Sequence, residues 1–133
     1  MPTPSRYEVE ARSYELDAYA HLNIAVYVNW LEHGRLCFLR DRGLTYASIP
    51  EDFGVHIMVV SQRIDYRAQV LLGDRLTVTT DVTRLGRSSV RFEHGIDFAD
   101  GRVAAEAEVT MVCVGPDGRS VEIPDELRAR LDT

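Results

Sequence analysis

One segment of this chain reads as a long helix, and nearly everything after it alternates. From Asn23 to about Arg42, the residues Tyr27, Trp30, Leu31, Gly34 and Phe38 recur at three- and four-residue spacing. Asn29, Glu32, Arg35 and Arg42 fall outside that stripe, which predicts a helix with one apolar face and these four on its polar side. Gly43 sits where a glycine in the left-handed conformation would end the helix. Gly34, inside the pattern, costs up to about 1 kcal/mol relative to alanine. It signals either close backbone packing against a neighbouring layer or a merely tolerated glycine.

The remaining segments read as strands. Tyr7 to Tyr14 alternates weakly, with Tyr7, Val9 and Ala11 on one side and Glu8, Glu10 and Arg12 on the other. Thr45 to Gly54 holds Pro50 and several acids and reads as a connecting loop. Val55 to Val60 is apolar on both faces and alternates from there to Tyr66, as expected of a strand buried at one end and open at the other. Beyond Gly73-Asp74, Leu76, Val78, Thr80 and Val82 form one strand face, and Val90, Phe92, His94, Ile96 and Phe98 another after the turn at Gly86. Asp100-Gly101 is a two-residue hairpin signal, followed by a face of Val103, Ala105, Ala107, Val109 and Met111. Pro116-Asp117-Gly118 ends that run, and Asp125 to Arg130 suggests a short terminal helix. The order is strand, long helix, then four strands in hairpin succession. That is an α+β fold, one antiparallel sheet of about five strands wrapped over one helix, in a single domain spanning residues 1–133. One helix covers one face of such a sheet and leaves its edge strands exposed, so a dimer at least is expected.

Composition narrows the partners. A net charge of −6 argues against nucleic acid or an anionic membrane. Arginine greatly outnumbers lysine, which leaves room for local anion sites. No apolar run approaches the roughly 18 residues that span a bilayer, and the first six residues lack the apolar core of a signal peptide. Cys37 and Cys113 lie among hydrophobic residues and read as buried free thiols in a reducing cytoplasm, with a disulfide as the alternative. The four histidines and two cysteines show no metal-ligand spacing, so no metal site is expected. His94 lies in register with core residues and reads as a satisfied core histidine, as do His33 and His56.

The stretch Glu15 to Tyr27 carries the chemistry. Asp17 is a lone carboxylate just upstream of the helix, and Asn23 is a residue type that caps a helix N-terminus. Free N–H groups and about half a positive charge at a helix end can hold a developing oxyanion. On local physics alone, Asp17 reads as a solvated loop acid and Asn23 as a cap.

The full length changes that weighting. Asp17, His21, Asn23, Tyr27 and Glu32 occur in order, followed by Ile64-Asp65-Tyr66, Gly73-Asp74, Gly86-Arg87-Ser88 and Val112-Cys113-Val114. In order and spacing the chain resembles the hotdog-fold acyl-CoA thioesterases of the 4-hydroxybenzoyl-CoA thioesterase type, and looks closest to the bacterial long-chain acyl-CoA thioesterase branch. It departs from the family pattern at Ala20 (often Gly), Ile24 (often Asn) and Gln69 (often Pro). The resemblance implies that Asp17 attacks the thioester carbonyl or activates water, and that the backbone N–H of Ile24 binds the oxyanion. It implies a substrate site at His21, Asn23 and Tyr27, and coenzyme A contacts at Arg87, Ser88, Ser89 and Arg84. It further implies acyl-CoA as substrate, no cofactor, a cytoplasmic enzyme, and a homodimer or dimer of dimers. Alternatives are a thioesterase acting on carrier-protein-bound acyl groups, a dehydratase of the same fold, or a non-catalytic acyl-CoA-binding module. His21 reads equally as loop packing, Tyr27 as core, and Arg87 as a surface arginine at a hairpin.

Overall fold

The computed structural model describes residues 2–133. Strand β1 (Ser5–Glu10) leads through a single 3-10 turn at Ser13–Glu15 to helix α1 (Ile24–Arg40) and a short helix α2 (Ser48–Phe53). Strands β2 (His56–Tyr66), β3 (Arg75–Leu85), β4 (Ser89–Phe98) and β5 (Val103–Val114) follow, and helix α3 (Asp125–Leu131) closes the chain. The strands form one antiparallel sheet in the order β1-β3-β4-β5-β2. Helix α1 lies across it, the hotdog arrangement.

Several boundaries differ from the sequence expectation. The segment expected as a plain loop contains α2, stopped at Gly54 in the left-handed region (φ 71°). Helix α1 ends in a closure in which Gly43 (φ 71°) donates to the Arg40 carbonyl and Leu44 to the Leu39 carbonyl, both at about 3 Å. The turn at Asp100-Gly101 spans four residues between Phe98 and Val103, closed by Phe98 N–H donating to the Arg102 carbonyl at 2.9 Å. The larger correction concerns β2, which does not form a hairpin with β3. The outer edge of β3 is already taken by β1, paired from Ser5↔Thr80 to Glu10↔Arg75. Strand β2 instead pairs with β5 at the far edge, from His56↔Val114 to Tyr66↔Ala105. The connection back to β3 crosses the sheet end, held there by Arg67 N–H on the Ala104 carbonyl (2.8 Å) and Gly73 N–H on the Ala11 carbonyl (3.0 Å).

Helix α1 rests on β1 and β3. Below it the apolar interior falls into two clusters, one around Phe38, Phe92 and Val109, the other around Trp30, Leu31 and Ile96. Each large aliphatic or aromatic side chain so buried contributes about 1.5–3 kcal/mol. A polar layer separates the clusters. It consists of Gly34 and Arg35 on α1, Thr80 on β3 and His94 on β4, the last two being direct cross-strand partners. At Gly34 the helix backbone meets Thr80 so closely that a β-carbon would collide with its Oγ1 and press on Val78 Cγ1 at 3.3 Å. The glycine is therefore a packing requirement. Gly34→Ala gains helix propensity worth up to about 1 kcal/mol, yet is expected to destabilise the chain by about 1–3 kcal/mol through overpacking. Urea unfolding measures this, and Thr80→Ala in the same chain should recover part of the loss.

Candidate active site

The loop between the 3-10 turn and α1 folds back on itself. Leu16 and Leu22 form a β-bridge, and Asp17 N–H donates to the His21 carbonyl at 2.7 Å. Asp17 Oδ1 accepts from the backbone N–H groups of Tyr19 (2.8 Å) and His21 (3.1 Å). One carboxylate oxygen is thus fixed by the loop, while Oδ2 of the half-buried side chain takes no hydrogen bond among the described residues. Closing so tight a loop puts Ala20 at φ 62°, the one non-glycine residue in the left-handed region among those described. The departure from the family's glycine is therefore strained.

Asn23 caps α1, its Oδ1 accepting from Ala25 N–H at 2.9 Å. Val26 N–H turns back to the Asn23 carbonyl at 2.9 Å. The Ile24 amide, first in the helix, has no intrahelical acceptor and none elsewhere among the described residues. It is a free donor at the positive end of a helix 17 residues long. The Ile24 side chain points outward, 66% exposed.

Sequence reasoning missed what holds this loop, the buried carboxylate of Glu15. It accepts from Arg12 N–H and Nε (both 2.9 Å) and from the Trp30 indole N–H (3.3 Å), while the Glu15 carbonyl accepts from Asn23 N–H at 2.9 Å. Burial alone would raise its pKa, but the hydrogen bonds from Arg12 and Trp30 outweigh that and hold it below the usual carboxylate range. One ionised side chain thus ties loop, helix start and core together. The only signal was the carboxylate two residues before Asp17.

Tyr27 is buried, with its ring edge-on to Tyr66 of β2 at 4.9 Å. Burial, then the neighbouring Tyr66 and Asp17, hold its hydroxyl above the ordinary phenol range. Tyr27 therefore belongs both to the core and to the surroundings of Asp17, and Tyr66 joins it there. The His21 imidazole is half-buried and makes no side-chain hydrogen bond among the described residues.

The coenzyme A candidates lie elsewhere. Arg84 ends β3, and Arg87, Ser88 and Ser89 form the turn into β4, where Ile123 N–H and the Arg128 guanidinium hold the Arg87 carbonyl. Asp17 sits at the other end of β3, where Ala11 N–H donates to the Asp74 carbonyl. Strand β3 has eleven residues, and its ten rises of about 3.3 Å put roughly 33 Å between its ends. Within one chain they do not converge.

Arg35, expected on the polar face of the helix, is instead buried, as is His94. Arg35 Nη1 donates to His94 Nε2 at 3.3 Å, because a guanidinium can only donate. His94 Nδ1 then carries the ring hydrogen and donates to Thr80 Oγ1 at 3.0 Å. Burial and the neighbouring Arg35 push the His94 pKa down to about 3. His33 and His56, unlike His94, are exposed; His33 stands edge-on to Tyr7 at 4.8 Å. Trp30 and Phe38 are core residues, and both cysteines are free and buried.

The fold is that of the hotdog thioesterases. A sequence model of the Thioesterase-like superfamily matches residues 11–131, and the chain belongs to that superfamily. It is 29% identical over 127 residues to the long-chain acyl-CoA thioesterase FadM of Escherichia coli, covering 94% of this chain and 95% of that one. A Thermus thermophilus thioesterase, solved with coenzyme A and zinc, superposes with a TM-score of 0.81 at 31% identity over 95% of this chain and 90% of its own. The fold is shared more widely. A Synechocystis 1,4-dihydroxy-2-naphthoyl-CoA thioesterase superposes at 0.88 with 18% identity, over 97% of this chain and 96% of that one.

Two outcomes follow from this geometry. Ala20→Gly should relieve the left-handed strain of about 1–2 kcal/mol against an unfolded-state entropy cost of about 0.4–1 kcal/mol. A small rise in melting temperature is the expected result. For His94, the unfolded chain takes up a proton below the ordinary value of 6.5, whereas the folded chain does so only at about 3. Stability therefore falls as pH drops through that window, by about 1 kcal/mol per pH unit. His94→Gln keeps an acceptor for Arg35 and a donor for Thr80 without titrating. Urea midpoints at pH 7 and pH 5 should accordingly differ less in the variant than in the wild type.

Proposed function

We propose that this chain hydrolyses acyl-CoA to a free carboxylic acid and coenzyme A. The observation that carries the reading is that one loop-to-helix segment holds both a half-engaged carboxylate, Asp17, and a free helix amide, that of Ile24. The carboxylate is fixed through one oxygen with the other unengaged, and a free donor waits at the N-terminus of α1 just beyond it. The thioester carbonyl oxygen accepts from the Ile24 N–H, whose dipole stabilises the charge that develops there. Asp17 either takes the proton of an attacking water or attacks the carbonyl carbon itself. In both routes the carbon–sulfur bond breaks, the thiolate leaves with the electron pair, and a water supplies the oxygen of the released acid. Thiolate is a good leaving group, so a carboxylate, a water and a helix end suffice.

The active unit in this reading is a two-fold dimer built on the β2 edge. Met58, Val59 and Val60 on that strand are exposed in the single chain, an unprotected apolar edge. A two-fold pairing of identical edges is antiparallel, so the Tyr66 end of one β2 meets the His56 end of the other. The Tyr66 end lies beside Tyr27 and Asp17, while the His56 end lies through β5 beside Ser89. Pairing therefore carries Arg87, Ser88 and Ser89 of one copy towards Asp17 of its partner. Arginine forks and serine hydroxyls there suit the phosphates of coenzyme A. One such dimer already completes the site, and a dimer of dimers would hold two pairs of such sites. The free buried thiols fit a reducing cytoplasm, and no helix is long and apolar enough to cross a membrane.

Asp17→Asn tests the reaction cleanly, since the amide oxygen can still accept from Tyr19 and His21 and keep the loop closed. Thiol release from a panel of acyl-CoAs should fall by about 10²–10⁴-fold with melting temperature unchanged. A variant as active as the wild type would sink the assignment of Asp17.

A further inference from the structure

The inner face of β2 is left uncovered by α1, and between them lies a hollow of about 420 Å³. Its walls are mostly apolar, with Val28 on the helix, Val59 on β2 and Met111 on β5; Gln62 of β2 is a polar exception, and the hollow also reaches Arg35 and Tyr46. Arg35 is 3% exposed and its Nε has no hydrogen-bond partner. Among the described residues no carboxylate forms an ion pair with it. Its side-chain acceptors are the neutral His94 ring and the Tyr46 hydroxyl, neither of which balances the positive charge. Glu32 borders the same hollow one helical turn earlier, exposed, and does not close onto it. A buried cation with an idle donor at the end of an apolar trough asks for an acceptor from outside the chain.

The direction of the trough says what brings that acceptor. Ile24, Val28 and Arg35 follow one another along α1, so the hollow begins one turn beyond the oxyanion amide. At 1.5 Å per residue, Val28 lies about 6 Å and Arg35 about 16 Å along the axis from Ile24. An extended chain advances roughly 1.2 Å per bond, a third of its 3.3–3.6 Å per three-bond residue, so about five to thirteen bonds cover that interval.

We propose that this trough is the acyl subsite and that Arg35 makes it selective for acyl groups carrying an oxygen acceptor on their distal half. The proposal rests on the thioesterase reading above. A plain alkyl tail fills the walls and leaves Arg35 unanswered, whereas a distal hydroxyl accepts from the guanidinium. The exposed Glu32 at the rim disfavours a carboxylate relative to a neutral hydroxyl.

The test compares kcat/KM for decanoyl-CoA, ω-hydroxydecanoyl-CoA and ω-carboxydecanoyl-CoA, with the wild type and with Arg35→Met. The wild type should favour the hydroxy substrate over decanoyl-CoA by about tenfold or more, as expected for a hydrogen bond to a charged group. In Arg35→Met that ratio should fall to about one. A carboxy substrate better than the hydroxy one would support the subsite and reverse the role given to Glu32. Equal wild-type rates on decanoyl- and ω-hydroxydecanoyl-CoA would overturn the proposal whether or not the variant folds. So would a variant that loses activity evenly on all three substrates together with its dimer, since Arg35 would then serve a second copy of the chain. Calorimetry with the free acids, decanoate against ω-hydroxydecanoate, reads the same preference without turnover. It separates failure of the subsite from failure of the hydrolase reading.

Discussion

The seating of α1 on the sheet depends on the contact between Gly34 and Thr80. A helix normally stands off a sheet by the thickness of its side chains, about 10 Å between layers. Here the backbone comes down onto a β3 hydroxyl with no β-carbon between. The close approach brings the adjacent Arg35 within hydrogen-bonding range of His94, and the polar layer so formed divides the core into two apolar clusters. Sliding the helix by one turn would drive a side chain into Thr80 and take Arg35 from its acceptor. Register is thus enforced by sterics and by polar matching together, and the position of the helix N-terminus follows from it.

Glu15 transmits that position to the loop. Its carboxylate is bonded to Trp30, which belongs to the cluster under the N-terminal half of α1, and to Arg12 at the entry to the loop. Its carbonyl holds the amide of the capping Asn23. Asp17 is therefore carried on a loop whose two ends are both tied to the helix whose first amide, that of Ile24, is a free donor. The proposed pair of Asp17 and the Ile24 amide, held this way, would not rely on the side chain of Ile24, which is exposed and free to differ from the family's usual asparagine. The strain at Ala20 is the visible cost of closing so short a loop around Asp17.

Most of the fold was legible because half-buried strands and a helix with one apolar face leave different periods in the sequence. The inward faces of β3 and β4 match their alternation residue by residue, His94 included, and that of β5 does from Ala105 on, its start departing with Val103 half-buried and Ala104 buried. The order of strands was not legible. Alternation reports which face is buried and says nothing of the neighbour, so the crossing of β2 to the far edge was hidden by a turn signal at Gly73-Asp74. Arg35 misled for a related reason. A charged residue beside an apolar stripe is ordinarily solvated, and only the three-dimensional proximity of His94 makes its burial intelligible. The cap at Asn23 could be read because capping is local, and the Glu15 anchor could not, since its partner Trp30 lies 15 residues on.

The single chain holds the two halves of the proposed site at opposite ends of β3. That separation is itself an argument about assembly. A carboxylate and helix end at one end of the sheet can act on a thioester, but the long coenzyme A handle then has nothing basic beside it on the same chain. Antiparallel pairing at β2 joins unlike ends of the two sheets and so supplies from a partner what each chain places out of its own reach. The same pairing covers Met58, Val59 and Val60, so one contact would protect the exposed edge and complete the site. The trough against the inner face of β2 adjoins that edge, and its uncompensated Arg35 lies where an acyl tail, rather than a coenzyme A phosphate, would arrive. Head and tail of the substrate would then be read by different chains: the phosphates by the partner's turn, the acyl group by the helix that also holds the oxyanion.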